Sequence, residues 1–149
     1  MTLISAYRNM SFREKSAWAM AIILIAAGAF YFNKVVRISQ ALGETAPPMI
    51  GLMIGYVVMV VIASIILMSV LAVASAKEAD APADEREKII ADRAGNWSGY
   101  VLAVPVFGAM LHYSVTLDGN RLFHMVFLSF MLSQISEYIF QIILYRRGV

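Results

Sequence analysis

The stretch "MIGLMIGYVVMVVIASIILMSVLAVASA", residues 49–76, runs for 28 residues without a charged side chain. A helix needs about 20 residues to cross about 30 Å of hydrocarbon, so this run is long enough to span a membrane. Residues 97–117 and 122–144 are similarly apolar, and residues 17–32 form a shorter run. Lys34 follows the short run, and a lysine side chain there can extend to the membrane surface. We therefore predict four spanning helices.

The composition supports this assignment. The chain has 149 residues, of which 60% are hydrophobic and 15% are charged, against about 45–50% and about 25% in soluble domains. It contains no cysteine, which excludes disulfides and thiolate metal sites. The prediction is an all-α integral membrane four-helix bundle, one domain over residues 1–149. Its spans lie near 16–36, 48–76, 95–117 and 121–145, and its immediate partner is the lipid bilayer.

Lysine and arginine are distributed unevenly over the predicted connections. Nine lie on one side of the membrane: Arg8, Arg13, Lys15, Lys77, Arg86, Lys88, Arg93, Arg146 and Arg147. Three lie on the other: Lys34, Arg37 and Arg121. Because basic residues favour the cytoplasmic side, both termini and the charged middle segment are predicted to face the cytoplasm. The net charge of +2 is what this bias produces and does not indicate nucleic acid as a partner.

A charged segment precedes the third span. Asp80 is a candidate helix cap, Pro82 suits a first helical turn, and Asp84, Lys88 and Asp92 have the spacing of a salt-bridge ladder. We predict a cytoplasmic extension over residues 82–94 that continues the third span and projects about three turns. It is either a solvated capping helix or a docking surface for a partner. The candidate docking residues are Asp84, Glu85, Arg86, Ile89 and Arg93.

The segment "DEREKIIADRAGNWSGY", residues 84–100, resembles small uncharacterised bacterial four-span integral membrane proteins. In these, a D-E-R-x-x-x-I-x-x-R helix precedes a span, and four of the candidate docking residues match it: Asp84, Glu85, Arg86 and Arg93. The resemblance implies a location in the bacterial inner membrane and no particular activity.

Small residues recur at a spacing of four in two of the predicted spans. Gly51 and Gly55 begin the second span, and Gly95, Gly99 and Ala103 begin the third. Small residues at this spacing let membrane helices approach closely. They predict either a seam between two copies of the chain or packing within one bundle.

The fourth span carries the polar residues Ser133, Gln134, Glu137 and Gln141. Their spacing places them on one side of a helix. An intramembrane carboxylate is costly unless it is paired, protonated or hydrated. This face is therefore predicted to be either a hydrogen-bonding clamp to another helix or the lining of a proton or cation path.

His112 and His124 flank the turn between the third and fourth spans, and a helical hairpin could bring the two imidazoles together. Two histidines form a weak metal or haem site, so the favoured role of both is hydrogen bonding at the interface and the sequence predicts no cofactor. It contains no Ser-His-Asp arrangement, phosphate loop or HExxH motif, so we expect no enzyme. The favoured function is a non-enzymatic accessory, assembly or signalling subunit that associates with itself or with another membrane protein. The alternatives are a small oligomeric channel or proton-coupled carrier, and a haem- or metal-binding redox subunit.

Overall fold

The chain is all-helical in the computed structural model, which describes residues 10–75 and 84–147. Its helices are α1 (Phe12–Leu42), α2 (Ile50–Ala74), α3 (Glu85–Thr116) and α4 (Gly119–Arg147). All four are long and apolar enough to cross a membrane. The prediction of four membrane-length apolar helices is confirmed.

The ends of α1 follow from local sequence signals. Ser11 caps its start, as its spacing from Glu14 predicts, and the Ser11 hydroxyl accepts the Glu14 backbone N–H at 3.2 Å. The helix continues to Leu42, past the expected end near residue 36. Gly43, at φ 73°, then ends it in the left-handed conformation that glycine adopts without strain. The first connection is therefore only residues 43–49.

The start of α3 lies closer to the membrane span than predicted. Asp84 caps it through a capping box, in which the Asp84 carboxylate accepts the Glu87 N–H at 2.7 Å and the Glu87 carboxylate accepts the Asp84 N–H at 3.2 Å. The expected starting residues Asp80 and Pro82 lie outside the described part of the chain. As predicted, one continuous helix joins the charged segment to the apolar run.

The helices pack in an order that differs from their order in the chain. Helix α1 packs against both α2 and α4, and the most extensive interface joins α3 to α4. Ala17 contacts Ile142 near one end of α1, and Tyr31 contacts Phe127 farther along, so α1 and α4 are antiparallel. The end that holds Phe12, Glu85 and Arg147 is called the charged end below. The opposite end, with connections 43–49 and 117–118, is called the loop end.

An aromatic cluster between α1, α2 and α4 forms the largest part of the core. Tyr31 is fully buried, and its ring lies edge-on to Phe127 at a centroid distance of 4.8 Å and to Tyr56 at 6.1 Å. Edge-to-face contacts of this kind stabilise beyond the area they bury. The cluster fixes the loop-end halves of these three helices to one another.

Candidate functional site

Ion pairs and hydrogen bonds join three helices at the charged end. Arg13 of α1 pairs with Glu87 of α3 at 2.8 Å. The Glu14 carboxylate, also on α1, pairs with Arg146 of α4 at 3.4 Å. The Arg86 guanidinium donates to the Tyr145 carbonyl at 3.4 Å. The charged start of α3 is therefore fastened laterally to α1 and α4.

The charged segment at the start of α3 also packs against α4. Ile90 is completely buried and packs against Leu144 of α4 within one small apolar cluster. The predicted ladder is also different, because Asp84 serves as the cap and Lys88 pairs with Glu85 at 2.9 Å. The segment lies beside α4 for its whole charged length.

All five candidate docking residues are exposed at the charged end. Three of them also form bonds within the chain: Asp84 accepts the Glu87 N–H, Glu85 pairs with Lys88, and Arg86 donates to the Tyr145 carbonyl. The surface is therefore accessible, and part of it is held in place by contacts within the chain.

The polar residues of α4 also have separate environments. The buried Ser133 donates its hydroxyl hydrogen to the carbonyl of Ser98 on α3 at 2.9 Å. Gln134 is exposed, whereas Glu137 is half-buried and the described residues give it no hydrogen bond or ion pair. The single polar face predicted from the spacing is therefore divided between a clamp to α3 and an exposed side.

The Ser133–Ser98 hydrogen bond fixes the depth of Glu137. Four residues along a helix correspond to about 6 Å, so Glu137 lies about 6 Å nearer the charged end than Ser133. Because α3 runs antiparallel to α4, this level on α3 is close to the fully buried Ala94. Glu137 is therefore near the charged boundary of the apolar region.

Gln141, one turn further, lines a cavity of about 360 Å³ that all four helices border. Its polar lining residues are Arg13, Ser16, Glu87, Tyr138, Gln141 and Tyr145, and its apolar lining includes Met20, Met68 and Ala91. A cavity lined by both polar and apolar side chains is suited to an amphiphilic ligand. The sequence pattern indicated only Gln141, because most of the other lining residues come from α1, α2 and α3.

The small residues face away from the chain's own packing. A Cβ atom added at Gly51, Gly55, Gly95 or Gly99 would meet no atom within 4 Å among the contacts that the structure describes. Ala103 is exposed on the same side of α3 as Gly99. At Gly28 of α1, by contrast, an added Cβ would lie 3.5 Å from the Met131 sulfur. The close approach within the chain occurs at Gly28, which the i, i+4 pattern did not include.

A hydrogen-bonded cluster lies at the loop end, and of its residues the sequence indicated only His124 as a hydrogen-bonding group. Asp118 accepts the Thr45 hydroxyl at 3.2 Å, Asn120 donates to the Thr45 carbonyl at 3.3 Å, and His124 donates from Nε2 to the Ala46 carbonyl at 2.9 Å. Asp118 also accepts the Arg121 backbone N–H, and this hydrogen bond is the main reason that the pKa of Asp118 lies below its usual range. These bonds fasten the 43–49 connection to the start of α4.

The histidines have unlike surroundings. Since a carbonyl only accepts, His124 carries a proton on Nε2 and that atom is not available to a metal. His112 Nε2 is buried without a hydrogen-bond partner among the described residues. Within residues 10–75 and 84–147, no group of three or more metal-binding side chains comes together.

Comparison with known proteins gives no matching family, no matching curated protein and no matching solved structure.

Proposed function

We propose that this chain is a non-enzymatic, multi-pass subunit of the bacterial inner membrane with both termini in the cytoplasm. It acts in an accessory, assembly or signalling role by associating with a second copy or with another membrane protein. The charged end then faces the cytoplasm, in agreement with the distribution of basic residues. The four helices form one bundle whose packing leaves α2 and α3 available to a neighbour.

The observation that carries this proposal is the open space at Gly51 and Gly55. These glycines lie on a face of α2 that also includes the exposed Val58 and Ile62. Membrane helices gain little from apolar contact alone, so close backbone approach at small residues is a main source of their association. The glycines are not used for such an approach within the chain, which supports their use between chains.

Three polar side chains have structural roles, and this supports a non-enzymatic function. Ser133 clamps α4 to α3, and His124 holds the 43–49 connection. Arg86 fastens the start of α3 to the end of α4. Each polar group binds a backbone carbonyl of another segment.

Disulfide cross-linking in membranes tests the association directly, since the natural chain contains no cysteine. We expect Ile62→Cys, on the glycine face, to form a covalent dimer under mild oxidation. Val57→Cys, also exposed but about 140° around the helix, is the matched control and should remain monomeric. Gly55→Leu added to the first variant should abolish cross-linking. Equal cross-linking from both positions would contradict the proposed face.

An oligomeric proton or cation path is the second candidate. It is favoured by Glu137, which is half-buried and lies one turn from the cavity residue Gln141. In this case proteoliposomes should show a flux that Glu137→Gln abolishes and that Gln134→Glu, on the exposed side, does not change. Absence of flux from a folded, cross-linkable dimer would exclude this candidate.

A further inference from the structure

The cavity at the charged end has the charge pattern of a zwitterionic ligand. Arg13 and Glu87 form an ion pair at its rim, with 43% and 20% of their side chains exposed. Arginine has five N–H donors, and only Nε takes part in this pair. On Glu87, Oε2 pairs with Arg13 and accepts the Asp84 N–H, and Oε1 takes part in neither contact. Both groups thus retain capacity for a second partner.

The position of the cavity along the helices and its lining suit a lipid headgroup. Its polar residues lie at the charged ends of α1, α3 and α4, and Met20, Met68 and Ala91 border it on the apolar side. Helices α2 and α3 form no extensive interface in the parts of the chain that the structure describes. Acyl chains can therefore leave the cavity between Met68 and Ala91 and enter the bilayer.

We propose that this cavity binds the headgroup of phosphatidylethanolamine, with the phosphate at Arg13 and the primary ammonium at Glu87. A purely anionic headgroup at Arg13 would meet the carboxylate of Glu87, which lies 2.8 Å from the guanidinium. A choline headgroup carries no N–H donor for Glu87 or for the tyrosine and glutamine oxygens. The ethanolamine headgroup satisfies both members of the ion pair.

This inference rests on the membrane location in the proposed function and not on self-association. The test therefore uses the full chain and, in parallel, the Gly55→Leu variant. Each is purified in detergent and titrated with phosphatidylethanolamine, phosphatidylcholine and phosphatidylglycerol of identical acyl chains, and bound lipid is counted by native mass spectrometry. Selectivity in both proteins supports the lipid site whether or not the dimer forms.

The expected result is about tenfold tighter binding of phosphatidylethanolamine than of phosphatidylcholine, as one charge-assisted hydrogen bond provides. Glu87→Gln should remove this preference, while Glu85→Gln, an exposed ion-pair carboxylate two residues away, should retain it. Equal binding of the two lipids by the natural chain, or a preference for phosphatidylglycerol, would overturn the proposal.

A steric variant separates loss of the site from loss of the ion pair. Ala91→Phe fills the cavity from an exposed position on α3 and leaves Arg13 and Glu87 unchanged. It should abolish the selectivity. Ile89→Phe places an aromatic ring at nearly the same depth on another side of α3, where 44% of the native side chain is exposed, and should have no effect. Retained selectivity in Ala91→Phe would place the bound lipid elsewhere.

Discussion

Helices α1 and α2 pack against each other, yet they differ in how much of each is buried. In α1 eight residues are buried, and most of them are small, whereas in α2 only Leu71 is buried. In water the more apolar helix would be the more buried, and here the more apolar α2 is the more exposed. This reversal is expected in lipid, where apolar side chains need no protein partner and tight packing depends on small and polar residues.

The difference shows which faces of the helices are packed within the chain and which are left exposed. Buried positions of α1 include Ala17, Ala21 and Gly28, and buried positions of α4 include Ser129 and Ser133. Exposed positions are instead rich in isoleucine, valine and phenylalanine. Substitutions in the α1–α4 core should therefore change stability, and similar substitutions on the outer faces of α2 and α3 should not.

The largest effect is expected at Tyr31, the center of the aromatic cluster. Tyr31→Ala removes a fully buried ring from contact with Phe127 and Tyr56. Comparable core truncations cost roughly 3 kcal/mol, which reversible unfolding in mixed micelles can measure. Tyr100→Ala is the matched control, because 72% of the Tyr100 side chain is exposed on α3. Similar losses for the two variants would contradict the division into core and outer faces.

Two glycine substitutions test the same division between core and outer faces, with a smaller expected change in the free energy of unfolding. Gly28→Leu forces a side chain toward the Met131 sulfur, which already lies 3.5 Å from the position of an added Cβ. Overpacking of this kind costs about 1–3 kcal/mol. Gly55→Leu meets no neighbouring atom within 4 Å and should leave the unfolding free energy of the monomer unchanged. Destabilisation of the monomer by Gly55→Leu would mean that α2 packs within the chain at that position.

The two histidines provide a third contrast. His124→Phe keeps an aromatic ring but leaves the carbonyl of the fully buried Ala46 without its donor. An unsatisfied buried acceptor costs about 1–3 kcal/mol. His112→Phe on α3 removes a ring whose Nε2 has no hydrogen-bond partner among the described residues, so it should be neutral or slightly stabilising. Thermal unfolding of both variants at one pH measures the difference.

The sequence was sufficient to predict the helices because their signals are local. An apolar run of membrane length lies within one continuous segment, and Ser11 and Glu14, which form the capping signal, are only three residues apart. The end of α1 lies beyond its predicted position because the polar residues after Val35 do not interrupt the helix, and Gly43 ends it.

The packing of the helices and most of the candidate site could not be predicted in the same way. A helix that is apolar on every side has no periodic contrast to indicate which face is buried. Ser133 and Gln134 therefore differ only through the position of α3, which contacts Ser133 and leaves Gln134 exposed. The cavity and the contacts of Thr45 with Asp118 and Asn120 join residues far apart in the chain.

The smallest effect is expected at Asp118, at the solvent end of the packed region, and it should depend on pH. Its carboxylate accepts the Arg121 backbone N–H and the Thr45 hydroxyl, and these contacts hold its pKa below the ordinary value of 3.8. A group whose pKa is lower in the folded state stabilises the fold above its unfolded pKa, and loses that contribution as the pH falls through the folded value. Asp118→Asn should therefore lower the melting temperature slightly at pH 7, and the difference from the natural chain should shrink as the pH falls below 3.8 and through the folded pKa. Glu85→Gln, which removes a carboxylate from an exposed pair within α3, is the control for the change in net charge alone. A constant deficit of Asp118→Asn at both pH values would mean that shape or neutral hydrogen bonding, and not the carboxylate charge, fastens the 43–49 connection to α4.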